Sequence, residues 1–301
     1  MITNLIIILG VIVKVIFATL AERKVMGSMQ RRIGPNTVGY MGLLQPLTDG
    51  IKLIIKEGII PSHANKTLFI LSPFFFFSIS LLNWFIIPLD FGLAVGELKG
   101  GGIIMTVALS EVSILGILYA GYSSNSKYSL LGSLRAVAQM ISYSVAMSLA
   151  IICIVLTVGS IDYLTILQSQ FHTPLFLALF PIALILILSC VAETGRPPMD
   201  LMEAESELVS GHMTEYSGVA FAFFFLAEYS MMLFMGIFIT VLLFGTVNPL
   251  PFVFLLYWLR ASLPRMRIDH ILSMGWSSLL PFLTGYLLFL PALLLTFDFL
   301  A

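Results

Sequence analysis

Apolar residues fill this chain in eight long stretches, and the segments between them hold most of the charge. The stretches run roughly 2–21, 67–89, 101–122, 134–158, 174–192, 217–244, 249–263 and 275–298. About 20 helical residues cross a bilayer, and only 249–263 falls well short of that. The runs are continuous rather than alternating, which predicts helices and not barrel strands. One segment has a different pattern. Over about 42–58, Leu43, Leu44, Leu47, Ile51, Ile54 and Ile55 recur at helical spacing, with Asp49, Lys52, Lys56 and Glu57 filling the remainder. That is an amphipathic helix lying in the interface plane. No internal repeat and no Ser/Gly linker divides the chain, so residues 1–301 are expected to form a single membrane domain. The expected fold is all-α: a polytopic transmembrane helical bundle of about eight spans, with an interfacial amphipathic helix and long matrix- or cytoplasmic-side loops.

Composition narrows the picture. The chain has 301 residues, of which 59% are hydrophobic and 10% charged, against about 25% charged in soluble domains. A water-soluble surface cannot be built from it. A net charge of −1 offers nothing to nucleic acid. Cys153 and Cys190 lie in separate apolar stretches without metal-ligand spacing and read as small packing residues. No haem, iron–sulfur or zinc motif is visible. The first twenty residues lack a basic leader and a small-residue cleavage site, so they read as a retained first span.

Lys and Arg orient the bundle. With eight spans, Arg23, Lys24, Arg31, Arg32, Lys52, Lys56, Lys66, Lys127, Arg135, Arg196, Arg260, Arg265 and Arg267 share one face; Lys99 lies on the other and Lys14 inside span one. The basic face is expected on the matrix or cytoplasmic side.

Three loops on that face carry candidate chemistry. In the first, Arg31 and Arg32 precede a rigid Gly34-Pro35-Asn36 turn. The loop reads either as an anchor on anionic headgroups or as one wall of a slot between the interface helix and a span. Such a slot admits an amphiphile with its tail in lipid and its head among polar groups. The second, over 193–216, holds Glu193, Asp200, Glu203, Glu205, Glu207 and Glu215 against one Arg196, and Pro197-Pro198 stops a helix there. If 199–208 turns helically, Asp200, Glu203 and Glu207 share a face. Clustered carboxylates raise one another's proton affinity, so the loop reads as a proton relay or as a solvated acidic loop. In the third, Arg260, Arg265 and Arg267 offer planar forks for carboxylates; at least one is expected to pair with the acidic loop or a soluble partner. Within spans, Glu111 and Glu228 are costly unless they face the bundle interior, which favours a proton or ion path. Lys14, about 10 Å from the basic-side end of span one, can snorkel.

Taken together, these blocks resemble chain 1 of respiratory complex I (NADH:ubiquinone oxidoreductase) and its bacterial counterparts. The matching residues are Glu22-Arg23-Lys24, Arg32 with Gly34-Pro35-Asn36, Leu43-Leu44-Gln45-Pro46 with Asp49 and Lys52, and Leu134 to Gln139 with Ile141-Ser142-Tyr143. Glu193-Thr194 with Arg196 and Asp200, Glu203 with Glu205 to Gly211, Ala227-Glu228-Tyr229, and Arg260 with Pro264-Arg265 and Arg267 complete the set. They span essentially the whole chain in order.

The resemblance implies a core subunit of a proton-pumping NADH:ubiquinone reductase, forming the membrane part of the ubiquinone tunnel. By match, Glu22, Arg23, Arg32 and Asp49 fall on tunnel-lining positions. Glu193, Asp200, Glu203, Glu205, Glu207 and Glu228 fall on an acidic path toward the pumping arm. Arg135, Arg196, Arg260, Arg265 and Arg267 fall on structural or partner ion pairs. Ubiquinone is implied as substrate with no covalently bound cofactor and no metal, while NADH, FMN and iron–sulfur clusters sit on partners. The implied partners are soluble quinone-site subunits, one with the terminal iron–sulfur cluster, neighbouring proton-pumping membrane subunits, and lipids. The implied location is the mitochondrial inner membrane, with a bacterial plasma membrane as the alternative. Three departures stand out. Ser144 occupies a position the family gives to Glu, Glu111 is an acid where the family usually has none, and Ser277 replaces a usual Lys beside a short connection between spans six and seven. Glu111 is therefore expected to serve as the path carboxylate in place of one at 144. Rival readings are a cation/proton transporter, disfavoured by the missing repeat, a hydrogenase-type membrane subunit, and a structural anchor for a soluble enzyme arm.

Overall fold

The computed structural model describes residues 2–88, 101–171, 173–202, 210–246 and 248–296, with side chains from residue 7 onward. Every regular element among them is helical. The long helices are α1 (Ile2–Met29), α3 (Lys66–Leu82, extended by a 3-10 turn to Phe85), α4 (Gly102–Ser123) and α5 (Lys127–Val158). Two short helices, α6 (Tyr163–Ser169) and α7 (Leu175–Ala178), lead to α8 (Phe180–Glu193). Then come α9 (Gly218–Ile239, continuing as a π segment through Phe244), α10 (Leu250–Ser262), and α11 (Ile268–Ser273), which a second π segment, Met274–Leu279, joins to α12 (Leu280–Thr296). The amphipathic segment forms α2 (Gln45–Ile55). Lys66–Phe85, Gly102–Ser123, Lys127–Val158, Gly218–Phe244 and Ile268–Thr296 are each long and apolar enough to cross a membrane.

Local chemistry explains where the elements depart from the apolar pattern. The fourth run was expected to begin at 134, but α5 begins at Lys127, because the Ser126 hydroxyl caps it by accepting from the Ser129 amide at 3.4 Å. The fifth run, expected as one span over 174–192, is broken at Leu179 (φ −115°, ψ 38°). Pro181 follows in the first turn of α8, where it donates no amide and its ring would clash with the carbonyl of residue 177 in a continuous helix. The acids Glu203, Glu205 and Glu207 lie outside the described residues.

Packing is sequential and centred on α9. α3 packs on α4, α4 on α5, α5 on α8, and α9 on α3 and α1. In the most apolar window of α9 94% of the residues are buried within the protein, against 11% for Ile268–Thr296. α9 is thus the central post, and α11–α12 an outer rail whose apolar surface faces away from the bundle. Helix contact is close where side chains vanish: a Cβ on Gly121 of α4 would lie 2.0 Å from the Ser133 Oγ of α5. Tyr216, just before α9, stacks on Phe69 at 4.1 Å and shares its hydroxyl with Ser72 (2.9 Å) and Ser123 (3.1 Å), tying α3 and α4 to the α9 base. The two cysteines are buried, and the Cys190 thiol meets Met147 Sδ at 3.9 Å.

The α1–α2 connection folds back tightly. Gly42 has φ +76°, and a Cβ there would sit 2.2 Å from the Pro35 carbonyl oxygen. Gly42→Ala adds a left-handed penalty of about 1–2 kcal/mol to that overlap, and is expected to open the loop to protease. Gly50→Ala within α2 meets open space and should strengthen the helix by up to about 1 kcal/mol. Limited proteolysis of both variants in membranes checks this; equal nicking between residues 31 and 45 would contradict it.

Candidate functional site

A carboxylate cannot be desolvated without partners, and Glu22 of α1 is only 2% exposed. Three elements supply its partners. Tyr229 of α9 donates its hydroxyl to Glu22 Oε2 at 2.5 Å. Arg260 of α10 donates directly to Oε1. Arg196, from the segment after α8, brings Nη1 to 3.8 Å from Oε1 and stacks its guanidinium 4.4 Å above the Tyr229 ring. Next to this cluster, Tyr257 of α10 donates to the Ala18 carbonyl of α1 at 3.1 Å.

The other candidate tunnel residues are arranged differently. Arg23 Nη1 meets Asp49 Oδ2 at 2.7 Å, and Gln45 Nε2 donates to Asp49 Oδ1 at 3.0 Å. This pair fastens α2 to α1, but it is half open to solvent and worth roughly 0–1 kcal/mol. Arg32 is exposed and donates to Gln30 Oε1 at 2.7 Å; among the described residues no bond joins it to Glu22, Arg23 or Asp49. The helix geometry gives the reason: consecutive residues diverge by about 100°, so Glu22 turns into the bundle while Arg23 turns toward α2.

A second buried cluster lies on the other side of α9. Glu193 at the end of α8 and Glu228 on α9 are 4% and 7% exposed. Both line one small cavity, with Ser113, Met140 and Thr194 among its other walls. Its volume of about 10 Å³ is near the threshold for a single water. Neither oxygen of Glu193 has a hydrogen-bond partner among the described residues. Glu111, half-buried on α4, is near enough for its charge to act on Glu193. At position 144 on α5, the buried Ser144 hydroxyl donates back to the Ile141 carbonyl at 3.0 Å and contributes no charge.

The segment after α8 serves both clusters. Glu193 faces the cavity, Arg196 reaches Glu22, and the buried Asp200 accepts from Arg265 Nη2 at 3.1 Å. Gln139 of α5 pins it from beneath, donating to the carbonyls of Ala192 and Met199, both at 2.7 Å. Arg267 pairs locally with Asp269 at 2.8 Å, and Ser277, in the π segment, is exposed and bonded back to Ser273. Arg135 sits half-buried on α5.

The sequence marks Arg196 and Arg260 as candidate ion-pair residues but carries no sign of their common partner, nor of the parts played by Tyr229 and Gln139. Tyr229 stands next to Glu228, but an aromatic in an apolar helix carries no sign of which way it points. Gln139 was a polar residue in an apolar run, and that was the one available cue.

Comparison with known proteins extends along nearly the full chain. A family model described as NADH dehydrogenase matches residues 2–291. The chain belongs to that family. It is 46% identical over 295 residues to NADH-ubiquinone oxidoreductase chain 1 of Hyaloraphidium curvatum, covering 98% of this chain and 99% of that one. It is 45% identical to the chain 1 protein of Mycosarcoma maydis (98% and 96% covered) and 44% identical to that of Metridium senile (96% and 92%). Both buried clusters lie within the matched span.

Removing one partner from a buried ion pair costs about 3–5 kcal/mol, far more than losing the exposed Arg23–Asp49 pair. Glu22→Ala, which strands two guanidiniums, should therefore destabilise this family member severely, while Asp49→Asn is nearly neutral for stability. Thermal inactivation of the two variants in native membranes measures the contrast; similar shifts would refute the assignment of Glu22 as the anchor.

Proposed function

We propose that this chain is the membrane subunit of a proton-translocating NADH:ubiquinone oxidoreductase, and that ubiquinone is reduced against its basic-face loops. The observation that carries this reading is the adjacency of two buried polar clusters. One, around Glu22, lies at the loop end of α1; the other, around Glu193 and Glu228, lies on the opposite side of α9; and α9 and the 193–200 segment contribute to both.

Reduction of the quinone takes two electrons and two protons, giving the quinol. In the reading that the family resemblance implies, the electrons come from an iron–sulfur cluster on a soluble partner. This chain's part is to hold the amphiphile and answer the charge change. The headgroup enters beside α2, where Arg23 and Asp49 line the approach and Arg32 stands at the rim, with Glu22 buried behind them in the bundle, while the tail stays in lipid. Charge appearing in a low-dielectric site interacts strongly with nearby ionisable groups. A movement of Arg196 toward or away from Glu22 changes the field at Glu193, three residues earlier. Glu193, Glu228 and Glu111, with Asp200, Glu203, Glu205 and Glu207, then pass the change to proton-pumping membrane neighbours. Glu111 supplies the carboxylate that position 144 lacks. Arg135, Arg265 and Arg267 hold the loops and their partners in place. The whole chain acts as one membrane domain in the mitochondrial inner membrane, its long loops facing the matrix.

The test uses the intact complex in sealed vesicles, reading NADH:quinone reductase activity and proton uptake together. Glu193→Gln is expected to lower protons moved per electron pair, or the reductase rate itself, with Glu193→Asp retaining part of the function. Glu111→Gln should act in the same direction. Unchanged rate and stoichiometry in both glutamine variants would remove the acidic path from this chain.

A further inference from the structure

Lys14 belongs to neither cluster. It is exposed on α1, and among the described residues it has no hydrogen bond or ion pair. It opens onto a groove of about 690 Å³ between α1, α9 and α10. One wall is a single stripe of α1, with Lys14, Phe17, Ala21 and Val25 at helical spacing. The facing wall is a stripe of α10, with Leu250, Val253, Phe254 and Tyr257. Leu233 and Ile237 of α9 form the floor. The groove is apolar throughout, apart from Lys14 and an asparagine, Asn248, at one rim.

Depth decides what fits. Lys14 lies eight residues from Glu22, about 12 Å along the helix, and twelve residues from Ile2, about 18 Å. Both ends of the span are thus more than two turns away. A helical side chain leans toward its own N-terminus, so Lys14 leans away from the Glu22 end and toward mid-membrane. Lipid headgroups stay outside the hydrocarbon core and cannot bring an anion to that depth. A transmembrane helix can carry a carboxylate there, and such charges in spans pair with one another. The small Ala18 and Ala21 on the same wall permit close helix approach.

We infer that the α1–α9–α10 groove seats a transmembrane helix of another subunit, and that an aspartate or glutamate of that helix pairs with Lys14. The inference rests on the reading of this chain as part of a multi-subunit membrane complex.

The test treats the intact complex in native membranes with dicyclohexylcarbodiimide. A carboxyl group adds to this hydrophobic carbodiimide as an O-acylisourea, and the unprotonated amine of a neighbouring lysine attacks the acyl carbon and displaces dicyclohexylurea, leaving an amide cross-link. Mass spectrometry is expected to find the Lys14 peptide joined to an acidic residue within a transmembrane segment of a co-isolated subunit. Lys14→Arg should preserve assembly and abolish the link. Lys14→Glu should reduce retention of the linked subunit about tenfold after mild detergent extraction, corresponding to about 1.4 kcal/mol. If Lys14→Glu does not assemble, Lys14→Met reads the same contact as a smaller loss. A complex that co-isolates in full but shows no protein link to Lys14, or that carries a phospholipid in the groove by native mass spectrometry, overturns the inference while leaving the proposed function standing.

Discussion

The structure depends on matching charges that have been taken out of water. A carboxylate buried to the extent of Glu22 is tolerable only if its partners arrive from elsewhere in the fold, and here they come from α9, α10 and the segment after α8. Apolar packing in a bilayer lacks the strong driving force it has in water, so it leaves helix order and rotation underdetermined. The Glu22 cluster removes that freedom at one end of the bundle. It sets the rotation of α1 and α9, and it draws the 193–200 segment over the helix ends.

α9 then gives the bundle its polarity. Glu228 and Tyr229 are consecutive, and the turn of about 100° between them aims one at the small acidic cavity and the other at Glu22. Two clusters that face different helices are therefore rigidly connected by a single peptide bond. The second connection, from Glu193 to Arg196, is a loop and not a helix.

The outer faces differ from the interior in the opposite sense. α11–α12 bury almost none of their apolar window within the chain, and the groove beside Lys14 is open. Surfaces of this kind suit lipid or neighbouring spans, as expected of one subunit in a larger membrane assembly. The wide loop face, by contrast, is tied down by polar bonds such as Arg265 to Asp200 and Gln139 to Ala192 and Met199.

Periodicity and composition were enough to read helices, their order, an amphipathic helix over about 42–58, which folds as Gln45–Ile55, and the residues whose charge is too costly to be accidental. Family likeness followed from those same residues. Which charges meet depends on the packed fold. Arg260 and Glu22 are 238 positions apart, and no local pattern relates them. The capped start of α5 at Lys127 and the break at Leu179 were local effects, written in a serine hydroxyl and a proline ring but weaker than the hydrophobic signal around them. The physical reason for the division is one of range. Helix formation and membrane insertion read nearest neighbours along the chain, whereas pairing a desolvated charge is settled by whichever opposite charge or hydroxyl the packed helices bring within about 3 Å.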